Sequence, residues 1–396
     1  MPSAPWPVSN AAGIDLSSPL EGVRVVEFSH YIAGPVAGLR LADLGADVVK
    51  VEPRRGEQAR WSGGGDDNAA MFNTFNRNKR SVALDLFEPT DLDSATELTR
   101  TADVVIHNAS ETAMARRRLD AVAVRRRNSG VIYGKIRGYP AGSIAAERRG
   151  FDSLAQAESG MLSVTGEPGG GPLRITFSPV DIMAGELLAE GVLAALVRRL
   201  RSGRGSVVEV SLFEAALHLQ AHLWGEYLQT GVEPGRVGNI QPLVAPGSEI
   251  FDTPDGAIML SAYADAHWRA LCSCLEMPGL IDDPRFRTNA LRVENRDDLR
   301  DILRVPFASM TLEQASAMLR KAGIAFGVVC SYSQVLDGQL MKSADILRPV
   351  TRADGRTYLS LRAPLRFGDQ EPVPTRRPPN LGEHEDEIIR ESEAEE

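Results

Sequence analysis

The stretch VRVVEFSHYIAGPVAGLRLADLGADVVKVE, residues 23–52, decides the fold. Val23 to Phe28 is a short run rich in β-branched residues, followed by the turn Ser29-His30-Tyr31-Ile32-Ala33-Gly34. Pro35 then opens a helix, where its fixed φ and missing N–H do no harm. Leu39, Leu41 and Leu44 lie on that helix, Gly45 closes it, and Asp47 to Glu52 is the next strand. Strand, helix and strand in so short a span form a βαβ unit. Such a unit implies parallel pairing and helices that cover the sheet.

The pattern recurs outward from there. Ser81 to Leu86 reads as a strand, Asp91 to Thr101 as a helix and Val104 to His107 as a strand. Arg116 to Arg127 reads as one helix and Val131 to Ile136 as the next strand. A Rossmann-like, doubly wound α/β architecture is therefore expected. Asp181 to Arg201 carries the longest helical periodicity, with a slim flank of Gly185, Ala189, Gly191, Ala194 and Ala195 suited to close packing. Val207 to Leu212 follows as a strand, then a helix to about Thr230.

Proline and glycine punctuate the chain after Gly231, and shorter strands and helices follow. The expected division is a large domain over residues 1–230, a linker over 231–248 and a small inserted α+β domain over 249–330. Residues 331–396 then return to the large domain with a strand pair around Val350 and Tyr358 and a helix from about Gly382. The last six residues, Glu-Ser-Glu-Ala-Glu-Glu, are expected to be disordered.

Composition narrows the function. A net charge of −9 argues against nucleic acid as the main partner. Residues 1–150 hold 20 Lys and Arg against 18 Asp and Glu, while the remainder holds 24 against 35. An arginine-enriched first part suits a small polyanion, and Arg116 to Arg118 with Arg125 to Arg127 offer guanidinium groups that bind phosphate bidentately. Acidic and basic residues interrupt the most apolar segment, so no membrane span is expected. The N-terminus lacks the pattern of a secretory signal, and a cytoplasmic protein is expected. Cys272, Cys274 and Cys330 have no disulfide or zinc spacing and read as small buried side chains, Cys330 within a strand. No metal site is expected.

The first turn lacks the glycines of a dinucleotide fingerprint, so a nicotinamide cofactor is not implied. His218 and His222 lack the glutamate that a zinc protease places between its histidines. Asp181, at the start of the long helix, reads first as an N-cap, a role compatible with that of a nucleophile, since a carboxylate at a helix N-terminus is expected to stay ionised.

Eight segments together resemble class III CoA-transferases, the family of formyl-CoA transferase, crotonobetainyl-CoA:carnitine CoA-transferase and α-methylacyl-CoA racemase. They are EGVRVVEFSHYIAGP (21–35), LGADVVKVEP (44–53), NRNKRSVALDL (76–86), ADVVIHN (102–108), RGFDSLAQAESG (149–160), TGEP (165–168), DIMAG (181–185) and NLGEH (380–384). The resemblance implies an interlocked homodimer, with coenzyme A as a substrate and no permanently bound cofactor. It places the catalytic aspartate at Asp181 and CoA contacts at Ile32, Ala33, Leu84, Asn108, Arg116 and Arg149. Asp152 falls on an acidic position close to the active site. The implied reaction moves CoA from an acyl-CoA to an acceptor carboxylic acid through an anhydride and an aspartyl-CoA thioester. Racemase relatives carry a proton-transferring histidine where Phe151 stands here, which favours transferase over racemase or epimerase. A non-catalytic CoA-binding paralogue is the third reading, and the intact motif around Asp181 weighs against it. The formyl-CoA branch also has a glycine run that the stretch 238–247 lacks.

Overall fold

The computed structural model describes residues 18–62, 70–352, 354–367 and 375–394. The N-terminal segment read for a signal lies outside these residues. Two compact units emerge, one from the described parts of 1–159, 175–228 and 346–396, the other from 160–174 and 229–345.

The first unit is mixed α/β and is built on six parallel strands: β1 (Arg24–Phe28), β2 (Asp47–Glu52), β3 (Arg80–Ala83), β4 (Val104–His107), β5 (Ile132–Arg137) and β6 (Ser206–Ser211). Their order is β3-β2-β1-β4-β5-β6. The chain winds outward from β1 through β2 and β3, then crosses back to β4. The crevice beyond the carboxyl ends of β1 and β4 is the topological switch point, where open α/β sheets bind ligands. On one face Val26, Val49, Val105 and Tyr133 pack against Leu98, Leu119 and Ile388. Helix α1 (Ala33–Asp43) and the long helix Pro179–Ser202 lie together on the sheet.

Several elements differ from their sequence reading. Arg116–Arg127 is not one helix. Helix Glu111–Arg116 ends, Arg118 turns left-handed at φ 55°, and Asp120 caps a new helix, Ala121–Arg127, by accepting the N–H groups of Val122 and Ala123. Helix Leu212–Leu219 likewise ends before a second one, Ala221–Thr230. Of the last six residues, 391–394 belong to the helix Glu385–Ala394 rather than being disordered, because Glu391 pairs with both Arg24 at 2.8 Å and Arg80 at 2.9 Å; 395 and 396 lie outside the described residues. Cys272 is buried, but Cys330 is exposed beyond the end of its strand.

The second unit has an antiparallel sheet of β7 (Gly247–Thr253), β8 (Gly256–Ser261) and β9 (Ala325–Val328). Trp268, Phe286, Phe251 and Phe307 fill its core, the last two rings stacked 4.8 Å apart. In the first unit β10 (Leu347–Thr351) and β11 (Thr357–Leu361) form a separate antiparallel pair, with Val350 opposite Tyr358. No helix among the described residues is long and apolar enough to cross a membrane.

Candidate active site

The turn between β1 and α1 sits at the switch point, and side chains from four segments hold its backbone. Asn108, directly after β4, donates from Nδ2 to the carbonyl of His30 at 2.8 Å and accepts the His30 N–H at 3.0 Å. Lys50 donates to the Ser29 carbonyl at 2.8 Å, and Glu57 accepts the Tyr31 N–H at 2.8 Å. Lys79 donates to the Pro35 carbonyl at 2.9 Å. Tyr31 itself is left-handed, with φ 63°.

The long helix starts at the same edge of the sheet. Its carboxyl end feeds β6 through the left-handed Gly203, so its amino end must lie at the carboxyl edge. Gly185 permits the closest approach between the two helices. A Cβ there would stand 2.5 Å from the Ala33 carbonyl oxygen and 2.7 Å from Val36. Asp181 stands one helical turn earlier, on the face of the long helix that packs against α1.

Asp181 is not the N-cap. Ser178 occupies that position, Pro179 is the first helical residue and Asp181 the third. The Ser178 hydroxyl makes no capping bond. Instead Oδ2 of Asp152, from the short helix Asp152–Glu158, accepts the N–H groups of Val180 at 2.8 Å and Asp181 at 3.2 Å. Its Oδ1 accepts from Nε2 of Gln156 at 2.5 Å, and Gln156 in turn accepts the Ile175 N–H at 3.0 Å. One buried carboxylate from another helix thus satisfies the orphan donors that a helix start normally leaves. The Asp181 carboxylate is released from capping.

Burial and the nearby Asp152 charge push Asp181 up to about 7. This corrects the expectation that a helix start keeps it ionised throughout the neutral range. With Asp152 already engaging the backbone dipoles, burial dominates. The Asp152 helix is itself brought in by backbone contact: a Cβ at Gly150 would lie 2.2 Å from the Gly138 Cα, just past β5.

A cavity of about 910 Å³ opens beyond the ends of β1 to β4. Its lining includes the turn residues Ser29 to Tyr31, Leu84, and Trp61, Phe87, Arg55 and Arg117. The Arg117 guanidinium lies 4.4 Å over the Phe87 ring. An aromatic and cationic rim of this kind suits a stacked heterocycle carrying phosphates.

The family model for CoA-transferase family III matches residues 20–385. The chain belongs to that family. It is 32% identical to a succinate–glutarate CoA-transferase of Agrobacterium fabrum, over 95% of this chain and 96% of the relative. It is 34% identical to a probable fatty acyl-CoA transferase of Mycobacterium tuberculosis, over 96% of this chain and 98% of that one. Among solved structures, a CAIB/BAIF family protein from Brucella suis superimposes with a TM-score of 0.86 at 31% identity, covering 95% of this chain and 100% of the other. The six-stranded parallel sheet and its helices thus match the fold of that CAIB/BAIF family protein.

Within this family III transferase the sequence-expected positions divide into groups. Ile32 is the partly exposed N-cap of α1, Ala33 is its buried first residue, and Leu84 lines the cavity. Asn108 contributes its amide to the turn rather than to open space. Arg116 and Arg149 are both exposed, and neither lines the cavity. Arg117 and Arg55 line it instead; sequence reasoning named Arg117 only within the arginine run and missed Arg55. The arginine run signalled phosphate binding without distinguishing Arg116 from Arg117, which the helix end at 116 separates. Gln156 and Glu57 were also missed. The sequence reading starts the long helix at Asp181, whereas it begins at Pro179; proline's preference for the first helical position was the signal available for it.

Proposed function

We propose that this enzyme moves CoA from an acyl-CoA thioester to an acceptor carboxylic acid, with Asp181 as the nucleophile. The observation that carries the reading is the division of labour between two aspartates. Asp152 caps the long helix, while Asp181, on the face that packs against α1, makes no side-chain hydrogen bond or ion pair among the described residues.

The chemistry follows from that unpaired carboxylate. An Asp181 oxygen attacks the thioester carbonyl, the C–S bond breaks, and CoA leaves as thiolate. The thiolate attacks the aspartyl carbonyl of the resulting anhydride and expels the donor acid as its carboxylate. An aspartyl-CoA thioester remains. The acceptor carboxylate attacks it, releasing thiolate and forming a second anhydride, and the thiolate takes the acceptor's acyl group to regenerate Asp181. The bond energy of the thioester is conserved throughout. Ile32 and Ala33, with their N–H groups at the start of α1, lie where charge develops on the attacked carbonyl. The cavity rim at Trp61, Phe87, Arg55 and Arg117 holds the nucleotide half of CoA. Leu84 lies beneath it, Asn108 shapes the turn, and Arg116 and Arg149 add positive charge along the CoA path.

The enzyme acts as a cytoplasmic homodimer in this reading, with residues 249–330 as the inserted domain. Helix Ala221–Thr230 buries none of its residues, and Leu200 and Leu228 stand 76% and 75% exposed, which supports a covering partner. Phe151 carries no transferable proton, so the racemase reading is not favoured.

The test is a panel of donors and acceptors followed by detection of the new thioester. The relative named for succinate and glutarate makes succinyl-CoA the first donor to try, and the one named for fatty acyl groups makes a long-chain acyl-CoA the second. Transfer to an acid with stoichiometric loss of the donor supports the reading. Hydrolysis or epimerisation without transfer would refute it.

A further inference from the structure

Beneath the β1–α1 turn lies a cluster of buried charge that the reaction does not consume. Lys50 ion-pairs with Glu27 at 3.1 Å and with Glu57 at 2.9 Å, and Lys79 pairs with Glu27 at 2.8 Å. The Lys50, Glu27 and Lys79 side chains are wholly withdrawn from solvent, and Glu57 nearly so. Two carboxylates and two ammonium groups cancel, so the cluster does not attract an anion. Nor is it an economical way to hold a core together, because apolar side chains of similar volume usually do that as well or better.

The cluster's remaining hydrogen bonds indicate its purpose. Lys50 reaches the Ser29 carbonyl, Lys79 reaches the Pro35 carbonyl, and Glu57 accepts the Tyr31 N–H. Between those points Tyr31 adopts the left-handed conformation, which is unfavourable for a bulky residue and persists only where surroundings impose it. The residues that follow, Ile32 and Ala33, start the helix against which the Asp181 face of the long helix packs. Among the described residues Glu57 is the side chain that both hydrogen-bonds the strained residue and lines the cavity.

We propose that Glu57 is a positioning residue for group transfer. By gripping the Tyr31 N–H it imposes the left-handed kink, which sets the start of α1 against Asp181, and Lys50 keeps the Glu57 carboxylate in place. This inference rests on the Asp181 reading above and deepens it.

The experiment compares full-length Glu57→Ala, Glu57→Gln and Glu57→Asp with wild type, each at a temperature where circular dichroism shows it folded. Asp43→Asn is the structural control. It loosens a buried ion pair to Arg77, 2.7 Å long, at the opposite end of the same helix. Glu57→Ala and Glu57→Asp, which remove or retract the acceptor, should each lower kcat at least tenfold with less than threefold change in the KM for acyl-CoA. Glu57→Gln keeps an acceptor for the Tyr31 N–H but turns its NH2 toward the Lys50 ammonium, so its kcat should fall between those of wild type and Glu57→Asp. Asp43→Asn should lose thermal stability with kcat unchanged. Wild-type turnover in folded Glu57→Asp, with losses confined to melting temperature as in Asp43→Asn, would overturn the proposal. Should Glu57→Ala not fold, Glu57→Asp and Glu57→Gln decide the matter. Asp181→Asn is assayed in parallel: activity there defeats the nucleophile reading, whereas inactivity there beside unaffected Glu57 variants defeats only the positioning role.

Discussion

Glu27 and Asp181 are both carboxylates drawn out of water in the same α/β unit, and their surroundings differ in kind. Glu27 has Lys79 at 2.8 Å and Lys50 at 3.1 Å, with the Ser29 hydroxyl donating to it at 2.7 Å. Burial works to raise its pKa, but Lys79 and Lys50 outweigh that and hold it below the usual carboxylate range. Asp181 has no such partners. Burial, helped by Asp152, carries it to about 7. The support beneath the turn is paired, while the Asp181 carboxylate is left without a side-chain partner among the described residues. A buried carboxylate without partners is costly to folding, and it is tolerated where chemistry requires a free oxygen.

The comparison breaks most visibly at Asp181. Asp181→Asn is expected to lower transfer by three or more orders of magnitude, while Glu27→Gln should act chiefly on stability. Asp181→Asn should also leave the protein more stable than wild type at pH 8. The sign follows from the raised pKa: the folded state holds a proton that the unfolded chain releases above about 3.8. That contribution is complete below the unfolded value and is lost as pH rises through 7. The advantage of the asparagine variant therefore grows between pH 4 and pH 7 and then levels, at roughly 1–3 kcal/mol after allowance for partial solvent screening. Paired thermal melts across that range check it.

A second contrast sets adjacent arginines apart. Arg148 pairs bidentately with Glu158 and lies 4.6 Å over the Tyr139 ring, whereas Arg149 is exposed and makes no ion pair among the described residues. Arg149→Ala should weaken CoA binding by about 1–3 kcal/mol, the range for hydrogen bonds to charged groups. Arg148→Ala should leave CoA affinity unchanged. Calorimetry with CoA separates the two.

The smallest effect concerns Asp152. Asp152→Asn retains an oxygen for the Val180 and Asp181 N–H groups but removes the charge that helps raise Asp181. The rise of kcat/KM with pH, centred near 7 in wild type, should move to lower pH by up to about one unit while the plateau is kept. An unmoved profile would assign the whole perturbation to burial.

Much of this was legible in the sequence because strands and helices repeat with different periods. The βαβ run at 23–52, the slim flank of the long helix and the βα rhythm through Ile136 specify the parallel sheet locally. The breaks at Arg117–Asp120 and at Gln220 were not legible. The first breaks the helix with the left-handed Arg118 and a new cap at Asp120, the second with a C-cap at Gln220, and periodicity registers neither. The site was legible by residue type and hidden in its wiring. Asp181 could be named, but not the fact that Asp152, 29 residues earlier, takes over its capping role. Nothing local in the sequence marks Lys50, Glu57 and Lys79 as partners, which the fold buries together under one turn. Contacts between residues far apart in sequence leave no local pattern.

The most direct test of the account is chemical capture at Asp181. Wild-type enzyme is incubated with acyl-CoA, quenched with hydroxylamine, digested and examined by mass spectrometry, alongside Asp181→Asn treated identically. The account predicts a hydroxamate on Asp181 in the wild-type digest, dependent on acyl-CoA and missing from the variant. Wild-type enzyme that transfers CoA in the same tube with its Asp181 peptide unmodified, or a hydroxamate on another carboxylate, would contradict it.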